Sequence, residues 1–202
     1  MSGFLLFIAA LLGSAALVFG VARGRQRRVH LDTFPYASLL DRRLAAKHPQ
    51  LTLEQRKLVF TALKDYFHLC REARRRMVSM PSQVVDDAWH EFILFTRQYE
   101  TFCREAFGRF LHHTPAEAMA SPTQAQDGIK RAWRLACRRE GIDPRHPARL
   151  PLLFAIDSQL GIAHGFHYKL DCMVGRQEGD TSYCGSHIGC GGGCSGDSGG
   201  GG

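Results

Sequence analysis

What this sequence lacks narrows it first. No stretch alternates apolar and polar residues with a period of two, so a half-buried sheet is not expected, and no segment repeats at a fixed interval. Lysine is rare: 21 of the 26 basic residues are arginine, and they dominate a formal net charge of +7. No basic side chain precedes the first apolar run, which begins after only Met1, Ser2 and Gly3. A cleaved secretory signal wants a positive segment there and a shorter apolar run. The cysteines number seven, an odd count that argues against a fully paired secreted framework. Three of them, Cys70, Cys103 and Cys137, lie inside helical patterns and read as buried free thiols in a reducing compartment.

What is present is a chain of 202 residues, 45% apolar and 22% charged, enough for one packed domain with appendages. Phe4 to Ala22 carries no charge. At about 1.5 Å per residue it makes a helix of roughly 28 Å, close to the hydrocarbon thickness of a bilayer. The sequence therefore predicts a transmembrane anchor over 1–22. The cluster Arg23-Gly24-Arg25-Gln26-Arg27-Arg28 follows it, in a basic juxtamembrane linker over 23–33. The positive-inside rule places such a cluster on the cytoplasmic face. The expected location is the cell membrane, single-pass, with the N-terminus outside and the folded domain in the cytoplasm. Membrane lipid is the first expected partner, through the anchor and the arginines, and a protein partner is the second.

Residues 34–174 read as an all-α domain, a bundle of four to six helices. Leu39, Leu40, Leu44 and Ala45 form an apolar stripe ending before Pro49. Thr52 and Gln55 have the spacing of a capping box, opening a helix from Leu53 to about Met77. Ser82 can cap the next, from about Gln83 to Phe107, whose stripe is Val85, Trp89, Phe92, Thr96, Tyr99 and Cys103. Gly108 ends it. A further helix is expected from Pro122 to Glu140, and the short apolar run Pro151–Ile162 reads as a buried helix. From 175 to 202 the chain is a Cys/Gly-rich tail in which 12 of 28 residues are glycine. Such a composition predicts flexibility.

The densest chemistry lies in Asp86-Asp87-Ala88-Trp89-His90-Glu91, with His112-His113 some twenty residues on. Asp86 and His90 are four apart and share a helix face. With His112 and His113 folded back over them they could form a site for zinc or another divalent metal. The alternative is structural: Asp86 capping or paired with an arginine, His90 hydrogen-bonded in the bundle. The tail offers a second candidate set, Cys184, His187, Cys190 and Cys194, four soft ligands within eleven residues. Lys130, Arg131, Arg134 and Arg138 line one helix face, but Trp133 is the only aromatic nearby. Nucleic-acid binding wants several stacking aromatics or a recognised module, so nucleic acid is not an expected partner. His164, Gly165, Phe166, His167 and Tyr168 read as a packed loop.

The run Val85-Asp86-Asp87-Ala88-Trp89-His90, continued by Leu94, Thr96, Tyr99, Cys103, Gly108 and His112, resembles the glycine-rich domain-containing protein-like family of plants and bacteria. The resemblance covers about residues 80–115, with the glycine-rich tail as a looser echo. Plant members carry Trp-His-x-His where this chain has Trp89-His90-Glu91-Phe92. The resemblance implies no reaction; plant members are linked to development and stress responses. Two readings of function follow. The first is a membrane-anchored helical interaction module, not an enzyme, with a structural metal. The second is a metal-dependent enzyme using Asp86, His90, His112 and His113.

Overall fold

The computed structural model describes residues 2–114, 122–170, 183–184 and 188. Among them the chain forms seven helices: α1 (Ser2–Thr33), α2 (Tyr36–Lys47), α3 (Leu53–Ala73), α4 (Gln83–Ile93), α5 (Thr96–Phe107), α6 (Pro122–Glu140) and α7 (Leu152–Gln159). A two-residue parallel pair, β1 (Tyr168–Lys169) and β2 (Tyr183–Cys184), completes the set, with Tyr168 opposite Tyr183. The residues divide into two compact units, 1–74 with 87–114 and 75–86 with 115–202, and the division falls inside α4.

The first unit is built on aromatic rings. Phe102 of α5 packs 5.0 Å from Phe67 of α3, 5.0 Å from Phe92 of α4 and 4.8 Å from Phe34, at tilted or edge-on angles. These are the arrangements that the ring quadrupole favours. Leu31, Leu40, Leu44 and Leu63 are completely buried around them. At the start of α3 the capping box forms as read. Thr52 Oγ1 accepts from the Gln55 amide at 3.3 Å, and Gln55 Oε1 accepts from the Thr52 amide at 2.8 Å. The helix ends at Ala73 rather than near Met77, because Arg74 turns to φ 58°.

The second unit packs Trp133 of α6 edge-on against Phe154 of α7 at 5.0 Å, and Phe154 against Tyr168 at 4.9 Å. The Trp133 indole donates to the Pro144 carbonyl at 3.0 Å. Glu140, at the end of α6, accepts from the Leu152 amide at 2.6 Å and so fixes the first turn of α7.

Two expectations are corrected here. Among the described residues no helix is long and apolar enough to cross a membrane, so the transmembrane anchor over 4–22 and the single-pass architecture built on it are not supported. The uncharged run is the opening part of α1. The helix then continues unbroken through the arginines to Thr33, burying Leu31 in the first unit. What reads as an anchor plus linker is one helix. The second correction divides the helix expected over 83–107 at Leu94–Phe95, where the Phe95 amide donates to the Phe92 carbonyl in a tight turn.

Candidate metal centre

The site begins with the start of α4. Ser82 Oγ accepts from the Val85 amide at 3.2 Å, an N-cap made by a short side chain. The buried carboxylate of Asp157 reinforces it, accepting from Ser82 Oγ and the Gln83 amide at 2.7 Å each and from the Val84 amide at 3.2 Å. An anion at the positive end of a helix is favourable. The first turn so fixed carries Asp86, and one turn later the same helix carries His90. Their relation is set by helix geometry alone.

The third member comes from the loop after α5. Gly108 closes that helix in the left-handed region, φ 71°, with its amide on the Arg104 carbonyl at 3.0 Å. An L-residue is strained there. The loop is then pinned from inside. The Trp89 indole Nε1 donates to the Tyr99 hydroxyl at 3.0 Å, and that hydroxyl donates to the Leu111 carbonyl at 2.6 Å. Two residues on, the His113 ring lies 4.3 Å from the His90 ring and 4.5 Å, edge-on, from the Trp89 indole.

The result is a group of three potential ligands, Asp86, His90 and His113, each half-buried and each offering one donor atom within 4.8 Å of the others. Donors bound to one ion at about 2.1 Å sit roughly 3.4 Å apart in tetrahedral geometry, so modest side-chain rotation closes the set. Two imidazoles and a carboxylate suit zinc, iron or manganese. His112 is exposed, its ring 4.9 Å from Phe110, and it is not a member of the group.

The neighbouring acids of α4 are engaged differently. Asp87 receives Lys47 Nζ and His48 Nε2 at 2.8 Å each, and Glu91 pairs with Arg43, tying α4 to α2. The helix therefore presents two i,i+4 pairs with separate tasks: Asp87 and Glu91 hold the helix, Asp86 and His90 face His113. Spacing alone does not separate these pairs. Asp157 had no sequence signal either, being one acid in an apolar helix.

In the basic stripe, Arg131 donates to the Met77 carbonyl and Arg134 to that of Lys130. In the histidine-rich loop His167 Nδ1 meets Ser158 Oγ at 2.9 Å. Of the tail set, His187, Cys190 and Cys194 lie outside the described residues, as does the side chain of Cys184. Cys70, Cys103 and Cys137 are buried free thiols.

A family model described as UCP032817-like matches residues 26–188. No curated protein and no solved structure matches the chain. The resemblance to the glycine-rich domain-containing protein-like family is thereby corrected. Of the positions that carried it, Val85, Trp89, Tyr99 and Cys103 are buried core residues.

Proposed function

The chain belongs to the UCP032817-like family, whose description names no reaction, and we propose on the geometry of the site that it binds one divalent transition-metal ion through Asp86, His90 and His113. The convergence of these three donors carries the reading. Zinc is the first candidate, since a borderline-soft ion accepts imidazole and carboxylate together. The test is elemental analysis of the purified full chain, followed by zinc titration of the chelator-treated protein. One metal per chain is expected, lost in Asp86→Asn, His90→Ala and His113→Ala and retained in His112→Ala, with helical circular dichroism unchanged. A wild-type chain that neither carries metal nor takes up zinc would falsify the proposal.

One observation favours a second, enzymatic reading. Three protein donors leave coordination positions for water, the pattern of catalytic rather than closed structural zinc sites. A metal bound there supplies Lewis acidity and an acidified water. Hydrolysis of activated ester and phosphodiester probes that requires metal and disappears in His113→Ala supports the enzyme. A loaded chain inert toward these probes counts against the hydrolytic reading and leaves metal binding standing.

A further inference from the structure

Apart from the metal group, the first unit carries a groove of about 570 Å³ between the end of α1, the start of α2 and α5. Phe34, Pro35, Leu39 and Phe102 line it, together with His30 and Arg97. That volume lies within the range of small-molecule sites, as does a mostly apolar wall carrying a few polar groups.

Two of those polar groups stand out. Among the described residues Arg97 has no ion-pair partner, and it is exposed, so its guanidinium is available at the rim. His30 Nδ1 faces Glu105 Oε2 at 3.1 Å, which leaves Nε2 as the other ring nitrogen, buried and, among the described residues, without a partner. Buried polar atoms in native structures nearly always have a partner, and each exception asks for a reason. The His30 side chain is itself about 24% exposed, so a small rotation of the ring brings Nε2 to a headgroup in the groove.

We infer that this groove binds an amphipathic monocarboxylate, its alkyl body against Phe34, Leu39 and Phe102 and its headgroup met by Arg97 and His30. The charge at the rim selects the anion. Arg97 is the unpaired cation of the lining, and its planar fork matches a carboxylate with two parallel hydrogen bonds. The apolar wall selects the body: burying methylenes contributes about 0.8 kcal/mol each, so a chain long enough to lie along the groove outcompetes a short acid.

The test is calorimetric titration of the full chain with dodecanoate below its micelle concentration, beside acetate, dodecanol and dodecylamine. Saturable binding of dodecanoate is expected, at least about tenfold tighter than each control. Arg97→Gln, a surface change that leaves the core intact, should weaken dodecanoate about tenfold and leave dodecanol unchanged. Leu39→Trp should fill the groove and abolish binding. Equal affinity for the amine and the acid overturns the inference. So does undiminished binding in both variants, which would place the alkyl chain on the exposed apolar residues of α1, such as Leu12, Leu17 and Val18, instead of in the groove.

Discussion

The Tyr99 hydroxyl is held at 2.6 Å by the carbonyl of Leu111, and through that bond α5 dictates where the following loop runs. The same oxygen accepts from the Trp89 indole at 3.0 Å, so a helix on either side of the 94–95 turn meets at one buried atom. Along an uninterrupted helix positions 89 and 99 would lie about 15 Å apart. The break at Leu94 makes the contact. Burial holds the phenol far above its ordinary ionisation range, so it stays a donor at any working pH.

Tyr99→Phe keeps the ring and removes the bridge, stranding the indole N–H and the Leu111 carbonyl. A loss of about 1–3 kcal/mol is expected, read from the urea midpoint with the far-ultraviolet spectrum unchanged. Because His113 lies two residues beyond Leu111, zinc affinity should fall as well. Removal of the bridge with no change in stability would show the loop to be held by packing alone.

Much of this was legible in the sequence, and the exceptions are physical. The Thr52–Gln55 box and the helix from Pro122 to Glu140 are local devices, and local rules read them correctly. The break at 94–95 was invisible because Val85, Trp89, Phe92, Thr96 and Tyr99 keep helical spacing across it; only tertiary packing decides that the second half turns away. The run from Phe4 to Ala22 reads as a membrane span when seen alone, yet it is the first part of a helix whose far end is buried in the protein core. Within the site, the i,i+4 pair Asp86–His90 was readable from periodicity. Which of two adjacent loop histidines joins it was not, since His112 and His113 differ by one residue in a segment without a period.

Asp157 is almost completely buried and receives four donors. Ser82 Oγ and the Val84 amide meet Oδ1; the Gln83 and Phe166 amides meet Oδ2. Asp157→Asn is isosteric but replaces one acceptor oxygen with an amide NH2, which confronts the Gln83 and Phe166 N–H groups in one orientation and the Ser82 hydroxyl and the Val84 N–H in the other. A cost of about 2–4 kcal/mol is expected from the urea midpoint, with the first turn of α4 losing hydrogen-exchange protection before the rest of the helix. Uniform protection across α4 would count against a capping role.

Gly128 lies where α6 crosses close to Ser79. A Cβ built there would fall 2.1 Å from Ser79 Oγ and 3.1 Å from the Ser79 amide nitrogen. In an exposed helix glycine to alanine stabilises by about 1 kcal/mol. Here the sign should invert, with Gly128→Ala costing about 1–3 kcal/mol through overpacking. Adding Ser79→Ala removes the worst contact and should recover part of that loss, but not the part due to the backbone. Thermal melts of the two single variants and the double variant check this; additive losses would refute the contact.

Burial raises the Cys70 thiol from the ordinary 9.0 to about 12, and Cys137 likewise to about 12. Cys103 moves in the same direction. Below pH 9 folded and unfolded chains both hold these protons, and the stability associated with them is fully present. For Cys70 and Cys137, between 9 and about 12 the unfolded thiols ionise while the folded ones do not, so the unfolded state binds fewer protons and stability falls as pH rises. For Cys70, which is almost wholly buried, the loss is on the order of a kcal/mol per pH unit across that window. Urea midpoints measured from pH 8 to pH 11 should therefore decline, and Cys70→Ala should flatten the decline while lowering the pH 8 midpoint through its cavity. In the same protein at pH 8, iodoacetamide should modify Cys70, Cys103 and Cys137 only after denaturant is added, as located by peptide mass spectrometry. Rapid modification of Cys70 in the native chain would mean that the core around α3 opens without unfolding, and the share of the alkaline slope due to Cys70 would then vanish with it.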